Sequence, residues 1–204
     1  MEEARNHLLL RGTAVEEPVF SHENHGQKFY RFPLAVQRLS GQTDTLQVVT
    51  TRKSLETLLP LEGQRLMVEG QLRSFNNKSG SGSRLILSVF PQMILPTADE
   101  DCNHIVLSGV LCKPPVLRRT PLGRCICDMM LAVNRRYGRA DYLPCIAWGQ
   151  VAVFTGGLDT GSPLSLEGRV QSREYTKVVD GEAIERTAYE VSIMHLVDEN
   201  GTTD

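Results

Sequence analysis

Long apolar runs are what this sequence most clearly lacks. Nowhere in its 204 residues does it approach the roughly 18 consecutive apolar residues that a membrane-spanning helix needs. The opening residues 1–5 are too polar for a secretory signal peptide. Both absences predict a protein that has no membrane partner and works in the cytoplasm, associated with the nucleoid if it binds DNA.

Cysteine is missing from the first hundred residues, and all five cysteines lie in the second half of the chain. They stand at positions 102, 112, 125, 127 and 145. An odd, clustered set without a secretion signal argues against a disulfide framework. The only close pair is Cys125 and Cys127, and a zinc site would need a second cluster that the sequence does not contain. The cysteines are predicted to be small core residues, and no metal or cofactor is expected.

Motifs of common catalytic sites are also missing. The sequence contains no P-loop, no G-x-G-x-x-G and no G-x-S-x-G. His22 and His25 lie in a polar loop that offers no further metal ligands. The carboxylates are scattered without an evident pair. We therefore expect no enzymatic activity.

The net charge of −2 conceals an uneven distribution. Residues 4–98 contain eleven Arg and Lys against seven Asp and Glu, and residues 103–197 contain eleven against nine. The acidic excess lies at the N-terminus, in a predicted hinge around residues 99–101 and in the tail. Salt screens charges beyond about 8–10 Å, so a polyanion meets local rather than net charge. The acidic total does not exclude a nucleic-acid partner.

What the sequence does contain is an internal repeat with a spacing of 97 residues. The segment LAVQR at 34–38 recurs as LAVNR at 131–135, and Gly12 falls on Gly109. Further matches pair Asn6-His7 with Asn103-His104, Pro18-Val19 with Pro115-Val116 and, one residue further on, Val68–Gly70 with Leu166–Gly168. A nearly constant offset over most of each half indicates two copies of one structural unit. We predict domains at 1–98 and 102–197 and a short acidic tail at 198–204.

Short strands dominate the predicted structure of each copy. Apolar or small residues alternate with polar ones at 66–72 and again at 164–172, which is the period of a half-buried strand. The other strand candidates are 6–15, 28–38, 45–51 and 84–95 in the first copy and 103–112, 124–135, 140–148 and 186–197 in the second. One short helix is predicted in each copy, near 53–59 and 149–156. Five strands with a helix between the third and fourth predict an OB-fold, so the chain is expected to be all-β, with two tandem five-stranded Greek-key barrels.

The second copy resembles a known family. Residues 123–135 read GRCICDMMLAVNR, which resembles the second-strand signature of bacterial single-stranded DNA-binding proteins. Further resemblances within 103–197 are the opening 103–109, Thr120-Pro121-x-Gly123, Ala147–Gly149 and Glu167–Val170. The first copy shares the opening and LAV-x-R but is more divergent. The resemblance implies sequence-nonspecific binding of single-stranded DNA in replication, recombination or repair.

The resemblance also implies which side chains stack on bases. The family's four aromatic positions match Tyr137, Tyr142, Trp148 and Tyr175 in the second copy. Tyr142 and Trp148 have the same strand parity, which is independently consistent with one exposed face. At the repeat offset the first copy has no ring at these positions, which hold Ser40, Thr45, Thr51 and Asn77.

The first copy carries its aromatic residues elsewhere. Phe29, Tyr30 and Phe32 align with the second strand and are predicted to be core and inter-strand residues. Phe75 remains as a stacking candidate. The hypothesis is that the second copy performs most of the stacking, while the first supplies a basic surface, a dimer contact or a degenerate site.

Phosphate neutralisation needs cations near the rings and carries no sequence information. The candidates share predicted positions beside the stacking face; they are Arg73, Arg118, Arg119, Arg135, Arg136, Arg139, Arg173 and Lys177.

The alternative function is a protein-interaction module on an OB scaffold, similar to primosome assembly factors, with weak or no DNA binding. The family works with four barrels, so two per chain imply a homodimer, with a monomeric pseudo-dimer as the alternative. Family members usually end in an acidic tip closed by Pro-Phe. The tail at 198–204 has no ring, so recruitment of replication proteins through such a tip is not expected.

Overall fold

The computed structural model describes residues 6–77, 85–135, 138–179 and 181–197. Their chain forms two compact units. The N-terminal unit consists of residues 7–73 and 87–104. The C-terminal unit consists of the described residues from 105 onward together with residues 6, 74–77, 85 and 86. The sequence repeat predicts two contiguous halves, and it gives no hint that residues 74–77 pack with the second copy.

The first copy of the repeat forms a closed five-stranded barrel. Its elements are β1 (Asn6–Ala14), β2 (Val19–Asn24), β3 (Gln27–Gln37), β4 (Thr43–Thr51), α1 (Arg52–Leu55), β5 (Arg65–Asn76) and β6 (Leu85–Pro96). The barrel order is β1-β5-β6-β4-β3, and β3 returns to β1 where Thr13 pairs with Ala35. The pairing of β4 with β6 is parallel, whereas β2 is an additional strand that pairs with β3.

The second copy repeats this arrangement. Its elements are β7 (Cys102–Leu111), β8 (Val116–Arg119), β9 (Cys125–Asn134), β10 (Ala140–Trp148), α2 (Gly149–Thr155), β11 (Pro163–Val179) and β12 (Glu182–Leu196). The order β7-β11-β12-β10-β9 closes where Val110 of β7 pairs with Ala132 of β9. Each copy is therefore an OB-fold, with its helix between the third and fourth barrel strands as predicted. The prediction missed the short strands β2 and β8, and it made the β11–β12 hairpin too short.

The predicted alternation of buried and exposed residues is confirmed in both copies. Leu66, Val68 and Leu72 of β5 are buried. Leu166 and Val170 of β11 are buried in the same way. Since successive side chains of a strand point to opposite faces, the intervening residues lie on the outside of each barrel.

Barrel closure explains why glycines recur in the repeat. A Cβ atom at Gly109 would lie 2.4 Å from the carbonyl oxygen of Ala132. At Gly12 the same atom would lie 2.2 Å from the carbonyl oxygen of Ala35. Only glycine permits such a close approach of two backbones. The shared glycines are thus required by the way in which the first strand meets the second in each barrel.

The acidic segment at 97–101 is predicted to be a polar hinge, and it is tied to the N-terminal unit instead. Arg11 donates to a carboxylate oxygen of Asp99 over 2.9 Å. Asp101 lies 2.8 Å from Arg65 and accepts the backbone N–H of Gln37 over 2.6 Å. These contacts fix the segment on the surface of the first barrel.

Candidate nucleic-acid interface

The outer face of the C-terminal unit is the side of β8 to β12 that points away from the barrel core. On β10 it presents Tyr142 and Trp148, whose exposed fractions are 49% and 42%. The alternate residues Leu143, Cys145 and Ala147 are buried. The parity predicted for the two rings is therefore confirmed. They are six residues apart, or about 20 Å along the strand.

Trp148 belongs to a cross-strand row with a cation at its end. It pairs with Ile126 on β9, and Ile126 pairs with Arg118 on β8. Directly paired residues share a side of the sheet, so Arg118 lies on the outer face two strands, or about 10 Å, from Trp148. Its Nε donates to Asp128 over 2.5 Å, and this hydrogen bond raises the pKa of Arg118. The predicted cation is present but already has an anionic partner.

Arg119 does not lie on this outer face. It follows Arg118 directly and pairs with Cys125. Because neighbouring side chains of a strand point to opposite sides, Arg119 points away from the row of Trp148. Of the two arginines, Arg118 shares the row of Trp148, and the phosphate contact of Arg119 stays a prediction.

Tyr175 lies on the extended part of β11 and carries a cation on its ring. The guanidinium carbon of Arg173 is 5.7 Å from the ring centroid, within the range of a cation–π contact. The Nε of Arg173 is 3.9 Å from a carboxylate oxygen of Glu190. Tyr175 and Arg173 are two residues apart, so they share the outer side of the strand. Ring and charge are arranged together here, as the sequence predicted.

Arg169 is a cation of the outer face that the prediction of phosphate contacts omitted. It pairs with Ser192 on β12, which in turn pairs with Ile146 on β10. Within the described part of the chain, its Nε is buried and has no hydrogen-bond partner. A buried donor of this kind is costly unless a ligand or water accepts from it. The signal was present in the sequence, because Arg169 has the same strand parity as Arg173.

Arg135 takes part in an internal ion pair, and its predicted phosphate contact stays a prediction. Its guanidinium donates to both carboxylate oxygens of Asp141, with 2.6 Å between Nε and Oδ2, and it also donates to the carbonyl oxygen of Ser74 over 3.2 Å. The side chain of Asp141 is completely buried. In the N-terminal unit the repeat pairs Arg38 with buried Asp44 in the same way. In both units, therefore, a guanidinium neutralises an internal carboxylate.

Ser74 is anchored by the same pair of charges. Its backbone N–H donates to Asp141 Oδ1 over 2.6 Å, and its Oγ accepts the backbone N–H of Tyr142 over 2.8 Å. The neighbouring Phe75 is exposed, and the guanidinium of Arg135 lies 5.6 Å from its ring centroid. The one stacking candidate of the first copy is thus held close to Tyr142, within the C-terminal unit.

Several predicted site residues lie elsewhere or outside the described residues. Arg136 and Tyr137 are outside them, and Lys177 is described only by its backbone, which pairs with Ile184. Arg139 is exposed and directly precedes β10. Arg73 belongs to the N-terminal unit and donates to Gln71. These residues stay predictions.

The first copy has no rings at the family positions, and the rings on its second strand lie in the core and between strands, as predicted. Phe32 is fully buried, as expected of a core residue. Phe29 and Tyr30 are half-buried, and β3 continues beyond the barrel here to pair with β2. Both rings contact rings of other strands, Tyr30 that of Phe20 and Phe29 those of His22 and Phe90, as expected of inter-strand residues.

Cys127 and Cys145 are buried, and burial raises the pKa of Cys145 to about 12, so this thiol is protonated at neutral pH. Across these residues, no cluster of three His, Cys, Asp or Glu could hold a metal ion. No helix in this part of the chain is long and apolar enough to cross a membrane.

A closed OB barrel with exposed rings and guanidinium groups on one outer face is typical of nucleic-acid-binding modules. Comparison with known proteins agrees with this class. Residues 102–197 match the family model described as "Single-strand binding protein family". The match covers the second copy of the repeat, which is a little under half of the chain.

Known relatives resemble a part of the chain. "Single-stranded DNA-binding protein 2" of Listeria innocua is 38% identical over 80 residues, which cover 36% of this chain and 50% of the relative. "Single-stranded DNA-binding protein A" of Bacillus subtilis is 38% identical over 80 residues, covering 36% of this chain and 46% of the relative. The chain spans about half the length of the curated relatives it matches.

The tandem arrangement also has a solved counterpart. The wild-type single-stranded DNA-binding protein from Thermus aquaticus superposes with a TM-score of 0.77 and 24% sequence identity. The match covers 96% of this chain and 93% of that protein. At this level of identity the likeness establishes the fold of the whole chain.

Proposed function

We propose that the chain binds single-stranded DNA without sequence preference, in replication, recombination or repair, and that it catalyses no reaction. The observation that carries the proposal is the outer face of the C-terminal unit, where Tyr142, Trp148 and Tyr175 share one side with Arg169 and Arg173. Rings on such a face stack on any base, because every base has an aromatic face. Guanidinium groups beside them neutralise phosphates without reading the sequence.

The arrangement favours a strand over a duplex or a compact ligand. Tyr142 and Trp148 are about 20 Å apart along β10, too far to contact one base. The two rings can instead stack on different bases of an extended strand whose bases are unpaired. Tyr175 adds a third ring on the β11–β12 hairpin. Names of the relatives, all bacterial DNA-binding proteins, support action in the cytoplasm.

Trp148 is the only tryptophan of the chain, so its fluorescence tests the proposal directly. Oligo(dT) is expected to quench it, and added salt should reverse the quenching. The logarithm of the binding constant should fall with that of salt concentration by about 0.7 per phosphate contacted. A duplex of equal length is the control and should quench far less. If the protein is instead an interaction module without DNA affinity, Trp148 fluorescence will not respond to the oligonucleotide.

The proposal includes a homodimer. The family that the second copy resembles works with four barrels, and this chain contains two. Multi-angle light scattering is expected to give twice the mass of one chain at micromolar concentration. A mass of one chain over the whole accessible concentration range would favour a monomer with an internal pair of barrels.

A further inference from the structure

A row of aromatic rings crosses the outer wall of the N-terminal unit. The imidazole of His22 on β2 stacks on Phe29 of β3, with centroids 4.9 Å apart and planes within 9° of parallel. On the other side of Phe29, the ring of Phe90 on β6 lies at 6.0 Å. His22 is exposed, and the two phenylalanines are half-buried. Three strands thus contribute one continuous, partly accessible aromatic surface.

This row occupies the same place in its barrel as the row of Trp148 in the other. In the N-terminal unit, His22 pairs with Phe29 and Phe29 with Thr51. In the C-terminal unit, the corresponding pairs are Arg118 with Ile126 and Ile126 with Trp148. In the N-terminal unit the middle residue of the row, Phe29, carries a ring, whereas in the C-terminal unit the ring is on the next strand, at Trp148. Neighbouring strands are about 5 Å apart.

The position of Phe90 shows the same exchange. A Cβ atom at Gly70 would collide with the carbonyl oxygen of Phe90, and one at Gly168 would collide with that of Ser192. Phe90 and Ser192 therefore occupy equivalent sites on the last strand of the two barrels. The N-terminal unit has an aromatic ring where the C-terminal unit has a serine. At the repeat offset the N-terminal unit has no ring at the position of Trp148. The cross-strand register shows that it has rings on neighbouring strands instead, at Phe29 and Phe90.

A β-bulge makes this surface possible. Phe20 pairs with Tyr30 and His22 pairs with Phe29, so Ser21 is an extra residue on β2. In a regular strand Phe20 and His22 would share a side, but the bulge sends them to opposite sides. Phe20 therefore packs edge-on against Tyr30, with ring centroids 6.1 Å apart. His22 stacks on Phe29 on the other side.

A cation accompanies these rings. Arg31 is exposed and lies two residues from Phe29 on the same side of β3. Arg52 lies against Tyr30, on the opposite side of β3, and is not part of this row. Partly exposed rings with positive charge beside them fit a polyanion with free bases better than an uncharged apolar partner.

We propose that His22, Phe29 and Phe90 form a second surface that binds single-stranded DNA by base stacking, on the N-terminal unit. The inference rests on the proposed function, because the ligand is the same. It replaces the hypothesis of a degenerate first copy with one of a first copy that binds through different residues. A strand bound by the whole chain then contacts both barrels.

The test replaces Phe29 and Phe90 by the residues at the equivalent positions of the other barrel, Ile126 and Ser192. The variant Phe29→Ile/Phe90→Ser is titrated with long poly(dT) and with a short oligo(dT) of about eight nucleotides, within the site size of one OB barrel. Affinity for the long strand is expected to fall about five- to a hundredfold, the loss of roughly one stacked base. The nucleotides bound per chain should also decrease. Quenching of Trp148 by the short strand should keep its wild-type midpoint, since Trp148 lies on the other barrel.

The control variant is Phe154→Leu, which changes an exposed ring on α2. It should leave the long-strand affinity, the nucleotides bound per chain and the quenching midpoint unchanged.

The outcomes separate this inference from the proposed function. Absence of Trp148 quenching in the wild type would refute the proposed function itself. If the wild type shows quenching, and the variant keeps both its affinity for the long strand and its number of nucleotides bound per chain, only the second surface is refuted. Unchanged binding together with loss of a dimer in light scattering would overturn it too, by identifying the row as a contact between two copies. Photocrosslinking of wild-type protein to 5-iododeoxyuridine-containing strands gives an answer that does not depend on how the variant folds. Adducts are expected in residues 19–31 or 87–96, and adducts confined to the C-terminal unit would contradict the proposal.

Discussion

Replacing Tyr142 and Trp148 together by alanine is expected to weaken binding of single-stranded DNA by about 2–6 kcal/mol, or one to four orders of magnitude. Both rings are exposed on the outer side of β10, while the alternate residues form the core. The substitutions therefore remove stacking surface without opening a cavity. Because the variant has no tryptophan, affinity is measured by the fluorescence anisotropy of a labelled oligo(dT).

The matched control for this experiment is Phe154→Ala. Phe154 is another exposed ring, but it lies on α2 and not on the outer face. It should change affinity by less than about twofold. Each single variant, Tyr142→Ala and Trp148→Ala, should show part of the loss. A double variant that binds within twofold of the wild type would show that these rings do not carry the interaction.

Replacing Asp141 by alanine is expected to lower the free energy of unfolding by about 3 kcal/mol, because it leaves the guanidinium of Arg135 without its anion in a largely buried place. Asp141 is fully buried and accepts from both Arg135 and the backbone of Ser74. Its removal also releases the segment that holds Phe75 beside Tyr142. Urea denaturation followed by far-UV circular dichroism measures the effect.

An exposed ion pair of the same unit provides the comparison. Asp128 pairs with Arg118 over 2.5 Å, with both side chains about half exposed. Removing one partner of such a pair costs about 0–1 kcal/mol. Asp128→Ala should thus unfold close to the wild type. Equal destabilisation by both variants would contradict the structural role given to Asp141.

Much of the fold was predicted from two properties of the sequence, the alternation of apolar and polar residues and the internal repeat. Buried positions in β5 and β11 follow a period of two, and the same local property of β10 is enough to place Tyr142 and Trp148 on one side of the strand. The matching of Gly12 with Gly109 reflects an identical backbone contact in both barrels. The barrels and the side of β10 that carries the two proposed stacking rings could therefore be derived from the order of residues.

The partners of the predicted cations could not be derived from the sequence, because they depend on pairing over long distances along the chain. The basic cluster around Arg135 predicts a phosphate contact for this residue, which stays a prediction. In the structure its guanidinium also donates to Asp141, six residues away, and to the carbonyl oxygen of Ser74, 61 residues away. Arg118 and Arg119 are neighbours, yet only one lies in the row of Trp148.

The amino-acid sequence by itself determined the strands, their inward and outward faces, the duplication of the barrel and the family of its second copy. Each of these depends on spacing along the chain. Only the tertiary structure decided that Phe75 packs with the second barrel and that Phe29 faces Thr51 where Ile126 faces Trp148. Strand register and side-chain partners join residues that are far apart in sequence, and neither composition nor periodicity specifies them.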